Sequence, residues 1–165
     1  LDLGSHVLDL LDHLLGPLTD VAGVAANRAS TYPVEDTVAM SFRAGPGVPG
    51  TAAWNFATSA NEDELVFSGS LGRLTCSVFG FEPVRVATPE GIQTLETERP
   101  DHVQQPLIQD VVNDLLGYSA APTTAVAARR TSVVMDKVLA DYYGDRSGPF
   151  WEHPERWPGR RPLTS

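Results

Sequence analysis

Cysteine and lysine are almost missing from this sequence, and each shortage excludes something. Cys76 is the only cysteine, so an intrachain disulfide is impossible and a cytoplasmic setting is expected. It lies inside a strand-like run, the usual place of a buried, inert thiol. Lys137 is the only lysine, and 12 basic residues face 21 acidic ones for a net charge of −9. That field repels a polyanion, and Arg160-Arg161 is too small a patch to reverse it, so no nucleic-acid partner is expected. No apolar run approaches the roughly 18 to 20 residues that span a bilayer, so no membrane partner is expected either. A secretory n-region is also lacking. The chain opens on Leu1 rather than Met, which predicts a fragment or a processed product. What is present is ordinary: 165 residues, 42% of them hydrophobic, enough for one domain with its own core.

Periodicity divides the chain into three parts. Leu3 to Leu15 reads as a helix stopped by Gly16-Pro17. At about 100° per residue, Leu3, Val7, Leu8, Leu10, Leu11, Leu14 and Leu15 share one face, and Asp2, Ser5, His6, Asp9, Asp12 and His13 share the other. From Leu18 to Glu98 the period becomes two. Val38, Met40 and Phe42 alternate with Thr37, Ser41 and Arg43, and Trp54 and Phe56 alternate with Ala53, Asn55 and Ala57. Further strands are expected at Val21–Asn27, Glu64–Phe67, Leu74–Phe79, Val84–Ala87 and Ile92–Glu96, separated by glycine- and proline-bearing turns. Two helices follow. One starts near Pro106 and ends before Gly117, and the other is capped by Thr123 or Thr124 and runs to Tyr142-Tyr143.

One helix, a run of strands and two helices make an α+β fold. Short connections predict a predominantly antiparallel β-sheet meander, with helices packed on one face. Residues 1–146 read as one domain and 147–165 as a proline-rich tail carrying Trp151, His153 and Trp157. The second sheet face, with Ala53 and Ala57 around Asn55, is small enough for a further copy of the chain to cover, a homo-oligomer through the open face. Gly45-Pro46-Gly47-Val48-Pro49-Gly50 joins two strands, and its prolines withhold N–H donors, so it is not read as a dinucleotide loop.

One polar constellation can carry chemistry. Asp2, His6, Asp9 and His13 fall at i, i+4, i+7 and i+11, a single stripe on a helix. An imidazole near a helix N-terminus meets the positive end of the dipole, which favours its neutral form. A neutral imidazole is what a general base removing a hydroxyl proton must be. Asp2, one turn earlier, can orient that ring or hold the substrate hydroxyl. The competing reading is a solvated helix face. A metal site through His6, Asp9 and His13 has too few ligands to be argued, and none is expected.

Asp2-Leu3-Gly4-Ser5-His6-Val7-Leu8-Asp9 resembles the D-x-G-x-H-x-x-D stretch of the glucose–fructose oxidoreductase, inositol dehydrogenase and MocA (Gfo/Idh/MocA) family. Trp54-Asn55-Phe56, Glu64 to Leu74, Pro106 to Val111 and Arg130 to Asp136 resemble family segments in the same order, so the likeness covers about Leu1 to Asp145. It implies a C-terminal substrate-binding and oligomerisation domain of a sugar or polyol oxidoreductase. By that resemblance His6 is the proton-transfer residue and Asp2 its substrate-binding partner, working with a lysine from an N-terminal nucleotide-binding domain. NAD or NADP is then implied for the full-length protein, and no cofactor is expected in this chain.

The sequence departs from a whole enzyme of that family. It has no glycine-rich βαβ unit, and Lys137 lies in the last helix, far from any E-K-P-type motif. Alone, the chain is expected to be inert. Trp54 and Phe56 are expected in the core rather than as a sugar platform, and Arg129-Arg130 on a solvated helix face. His102 reads as a loop histidine. The rival function is a non-catalytic small-molecule-binding or assembly module reusing the same fold, and an upstream reading frame with a glycine-rich fingerprint decides between the two. The identity of the hydroxyl substrate is not encoded in these residues.

Overall fold

The structure is a computed structural model that describes residues 1–144, so the expected tail at 147–165 lies outside the described residues. Helix α1 (Asp2–Leu15) is followed by seven strands: β1 (Leu18–Ala26), β2 (Thr37–Ala44), β3 (Val48–Asn55), β4 (Leu65–Gly69), β5 (Gly72–Cys76), β6 (Val84–Thr88) and β7 (Gly91–Leu95). Helices α2 (Gln105–Leu115) and α3 (Ala125–Tyr143) complete the order. Every strand pairing is antiparallel, and the α+β class expected from periodicity is what forms. No helix among the described residues is long and apolar enough to cross a membrane.

The strands do not make one meander. β1-β2-β3 form a three-stranded sheet and β4-β5-β6-β7 a four-stranded one. The chain accordingly divides into two compact units, Leu1–Ser59 together with the chain from Thr123 onward, and Ala60–Pro122. The change of sheet follows from Phe56–Glu64, a fully exposed stretch between β3 and β4. Alternation identifies strands, but pairing across such a connection is not written in it.

In the first unit the core sits between the three-stranded sheet and helices α1 and α3. Val38, Met40, Phe42 and Ala44 of β2 are buried at 2%, 5%, 7% and 0% exposure, while Thr37, Ala39, Ser41 and Arg43 face outward. This is the period-two pattern of a sheet with one covered face. Helix α3 lies on β1, and α1 lies beside α3 and against β2. Gly23 makes the β1–α3 approach possible: a Cβ there would meet Val138 Cγ1 at 2.9 Å and Ala39 O at 3.0 Å. β3 begins three residues earlier than expected and includes Pro49. It is an edge strand, where a residue without an N–H is tolerated.

In the second unit, β4 and β5 meet through a two-residue Ser70-Leu71 loop closed by the Gly69–Gly72 pair. β5 ends at Cys76, before the expected Phe79, because the next residues turn around a carboxylate. The Val78, Phe79 and Gly80 amides donate to Asp63 at 3.0, 2.7 and 3.2 Å, and the Ser77 hydroxyl donates to it as well. Helix α2 has the apolar spacing expected of a packed helix, yet none of its residues is buried.

Candidate functional site

Helix α1 is where the polar constellation is built. Its buried stripe is Gly4, Leu8, Leu11 and Asp12, at i, i+4, i+7 and i+8. The broad apolar face read from the sequence is thus only partly covered, and Leu3 and Leu14 remain 39% and 54% exposed. Gly4 lets the helix come down close to the sheet, since a Cβ there would reach Trp54 Cε2 at 3.3 Å. Trp54 is half-buried, as an inward residue of β3 should be, whereas Phe56 lies past the end of that strand and is 54% exposed.

Asp2 and His6 occupy the first two turns of α1, one turn apart on a shared face, and both are exposed. The turn that carries them is fastened by Ser5, whose hydroxyl donates to the Asp2 carbonyl at 2.7 Å. An exposed carboxylate and an exposed imidazole at i and i+4 can together engage one small hydroxyl group and move its proton. His13 is exposed in the last turn of the same helix.

The rest of the expected solvent face behaves differently, and this corrects the sequence reading. Asp12 is 7% exposed and takes the guanidinium of Arg130 through both oxygens. Arg130 Nε donates at 3.0 Å to Oδ1 and at 3.2 Å to Oδ2, and Nη2 donates at 2.5 Å to Oδ2. Asp9 accepts the Thr131 hydroxyl at 3.2 Å, and Thr131 is itself buried. Arg130 is therefore not a freely solvated residue. The hydrogen bond to Asp12 holds its guanidinium in the protonated form even more firmly than usual. A carboxylate at position 12, between Leu11 and the half-buried Leu15, was the available signal: placed on the apolar side, it needs a cation.

The cysteine at position 76 is half-buried. Burial pushes its thiol up from the ordinary value, and the Asp63 charge adds to the effect, so the group stays protonated and a poor nucleophile. His102 lies exposed in the segment before α2. Gly45-Pro46-Gly47 forms the turn between β2 and β3, where Gly47 N donates to the Ala44 carbonyl at 3.1 Å. That is hairpin chemistry, and these residues do not fit a dinucleotide pyrophosphate.

Residues 1–75 match the family described as the GFO/IDH/MocA C-terminal domain. A curated oxidoreductase of Formosa agariphila is 28% identical over 137 residues, which are 82% of this chain and 41% of that protein. Among solved structures, the UDP-N-acetylglucosamine 3-dehydrogenase GnnA from Acidithiobacillus ferrooxidans superposes with a TM-score of 0.70 at 16% identity, covering 84% of this chain and 46% of its own. A levoglucosan dehydrogenase in complex with NADH gives a TM-score of 0.72 at 15% identity, covering 86% and 47%. At such identities the two structures speak for the fold alone. The chain spans less than half the length of the relatives it matches. Over residues 1–75 the chain is thus similar to the C-terminal domain of Gfo/Idh/MocA oxidoreductases, and its α+β antiparallel architecture is the fold those dehydrogenases share.

Proposed function

We propose that this chain is the substrate-side domain of an NAD(P)-dependent oxidoreductase acting on a hydroxyl of a sugar, polyol or related compound. The observation that carries the reading is the pairing of Asp2 and His6, exposed on one face at the start of α1, inside the family-matched residues. Two structural relatives support the substrate class, a UDP-N-acetylglucosamine 3-dehydrogenase and a levoglucosan dehydrogenase.

In this reading Asp2 accepts a hydrogen bond from the substrate hydroxyl, and His6 takes the hydroxyl proton as the carbinol carbon becomes a carbonyl carbon. A nicotinamide bound by an N-terminal nucleotide-binding domain would supply the hydride acceptor. Proton and hydride together account for the two hydrogens lost by the alcohol. Lys137 is exposed on α3 and plays no part, so the lysine of the reaction belongs to the N-terminal domain. The chain alone is inert for want of both groups.

The outward face of β1-β2-β3 supports a homo-oligomer. Val24, Ala39 and Ala53 are register partners in one row across the three strands, with Ala22, Ser41 and Thr51 beside them. A lone cysteine supports a cytoplasmic setting.

The test is a panel of sugars, inositols and nucleotide sugars offered, with NAD and NADP, to the protein carrying both domains. Cofactor reduction with at least one such hydroxyl compound is expected, with none from the 165-residue chain alone. Turnover confined to compounds without a carbinol, or turnover by the chain alone, contradicts the proposal.

A further inference from the structure

Two polar links join α1 to α3, and their arrangement is specific. The acceptors, Asp9 and Asp12, are one turn apart on α1. The donors, Thr131 and Arg130, are consecutive on α3. Asp12 and Thr131 are each 7% exposed, so these links lie at the margin of the core. Leu8 and Leu11 on α1 and Val134 and Val138 on α3 are the buried apolar residues of the same two helices. Apolar burial is non-directional and tolerates a helix rolling about its axis. A carboxylate bonded through both oxygens to a planar guanidinium does not, and a second link about 4.5 Å further along the axis fixes the register as well.

We propose that Asp12–Arg130 and Asp9–Thr131 form a positioning pin that sets the direction in which His6 and Asp2 leave α1. The inference rests on the reading of His6 as the proton-transfer residue. The four residues of the pin bond to one another across α1 and α3, and in this proposal they act through the helix. On the helical wheel His6 lies about 60° from Asp9, and Asp2 lies between them, so the direction of Asp9 dictates theirs. A roll of about 15° moves a ring some 6 Å from the axis by ~1.5 Å. Misplacement of a reacting group by about 1 Å costs on the order of 100-fold in rate. The Arg130 side chain is 42% exposed, and an ion pair open to solvent on one side adds little stability, so orientation is what this pair offers that leucine and methionine would not.

The test uses Thr131→Val and the double variant Asp12→Leu/Arg130→Met, with His6→Asn as reference. In the 165-residue chain, amide residual dipolar couplings report the direction of α1 against α3. The double variant is expected to change them while Tm moves by no more than about 4 °C. In the protein carrying both domains, kcat is expected to fall tenfold or more with KM within twofold, and Arg130→Lys to keep part of the rate that Arg130→Met loses. Wild-type couplings and kcat in both pin variants, with His6→Asn impaired, overturn the pin and leave the His6 reading standing. An unimpaired His6→Asn overturns both. Should the double variant fail to fold, Thr131→Val alone decides, because it removes one hydroxyl bond at nearly constant volume.

Discussion

Asp36 is 4% exposed, and its carboxylate is held by the backbone of the loop that precedes it. The Arg28, Ala29 and Ser30 amides donate to it at 2.8 Å each, and the Thr37 hydroxyl donates at 3.1 Å. The Ala29 amide is the largest influence, and together these donors hold the carboxyl far below the ordinary carboxylate range. A depressed folded value contributes stability above the unfolded pKa and loses it as pH falls, because the unfolded chain takes up the proton first. Asp36→Asn is therefore expected to lower the urea midpoint at pH 7, with the gap to wild type narrowing below about pH 4. Equal gaps at pH 7 and pH 3 contradict the clamp. At Asp63 burial opposes the charge, but the Ser77 hydroxyl and the Phe79, Val78 and Gly80 amides outweigh it. Neither clamp was legible in the sequence, since an aspartate in a polar loop looks the same whether or not a turn folds over it. Asp2 and His6 were singled out because helical spacing and the D-x-G-x-H-x-x-D resemblance coincide there, and the structure sets both exposed on one face of α1. Asp12 was assigned to the solvated face because a helical wheel shows a face but not the neighbouring helix that meets it, whereas the resemblance already allowed Asp9 a structural role.

At the scale of elements, period-two and period-3.6 patterns located every strand and helix, with ends displaced by a few residues where the cause was tertiary. β5 stops early for Asp63, and β3 starts early because an edge strand tolerates Pro49. Helix α1 depends on Leu8, which is fully buried. Leu8→Ala is expected to cost about 2–5 kcal/mol in denaturant melts, and a loss under 1 kcal/mol would show that α1 is not seated on this core. Gly23→Ala should cost about 1–3 kcal/mol, because the added methyl meets Val138 and the Ala39 carbonyl. An unchanged melt for Gly23→Ala contradicts the close approach of α3 to β1. The division into two sheets escaped the sequence reading, since nothing in alternating residues says which strand pairs across an exposed nine-residue connection.

Among the described residues, two apolar features stand exposed, the small-residue face of the β1-β2-β3 sheet and the apolar side of α2, where Leu107, Ile108 and Leu115 are 53%, 59% and 81% exposed. For the sheet, Ala39→Arg at the centre of the outward face is expected to turn an oligomer into a monomer by light scattering, with the circular dichroism spectrum unchanged. A monomeric wild-type chain contradicts the oligomer outright. The chain spans less than half the length of the relatives it matches, and in the proposed reading it supplies a hydroxyl-handling face to a nicotinamide held by another domain. The central claim is that His6 moves the substrate proton, and steady-state turnover of His6→Asn in the protein carrying both domains tests it most directly. In that variant kcat at saturating substrate is expected to fall by about 100-fold or more with the Tm of wild type. Wild-type kcat in that variant contradicts it.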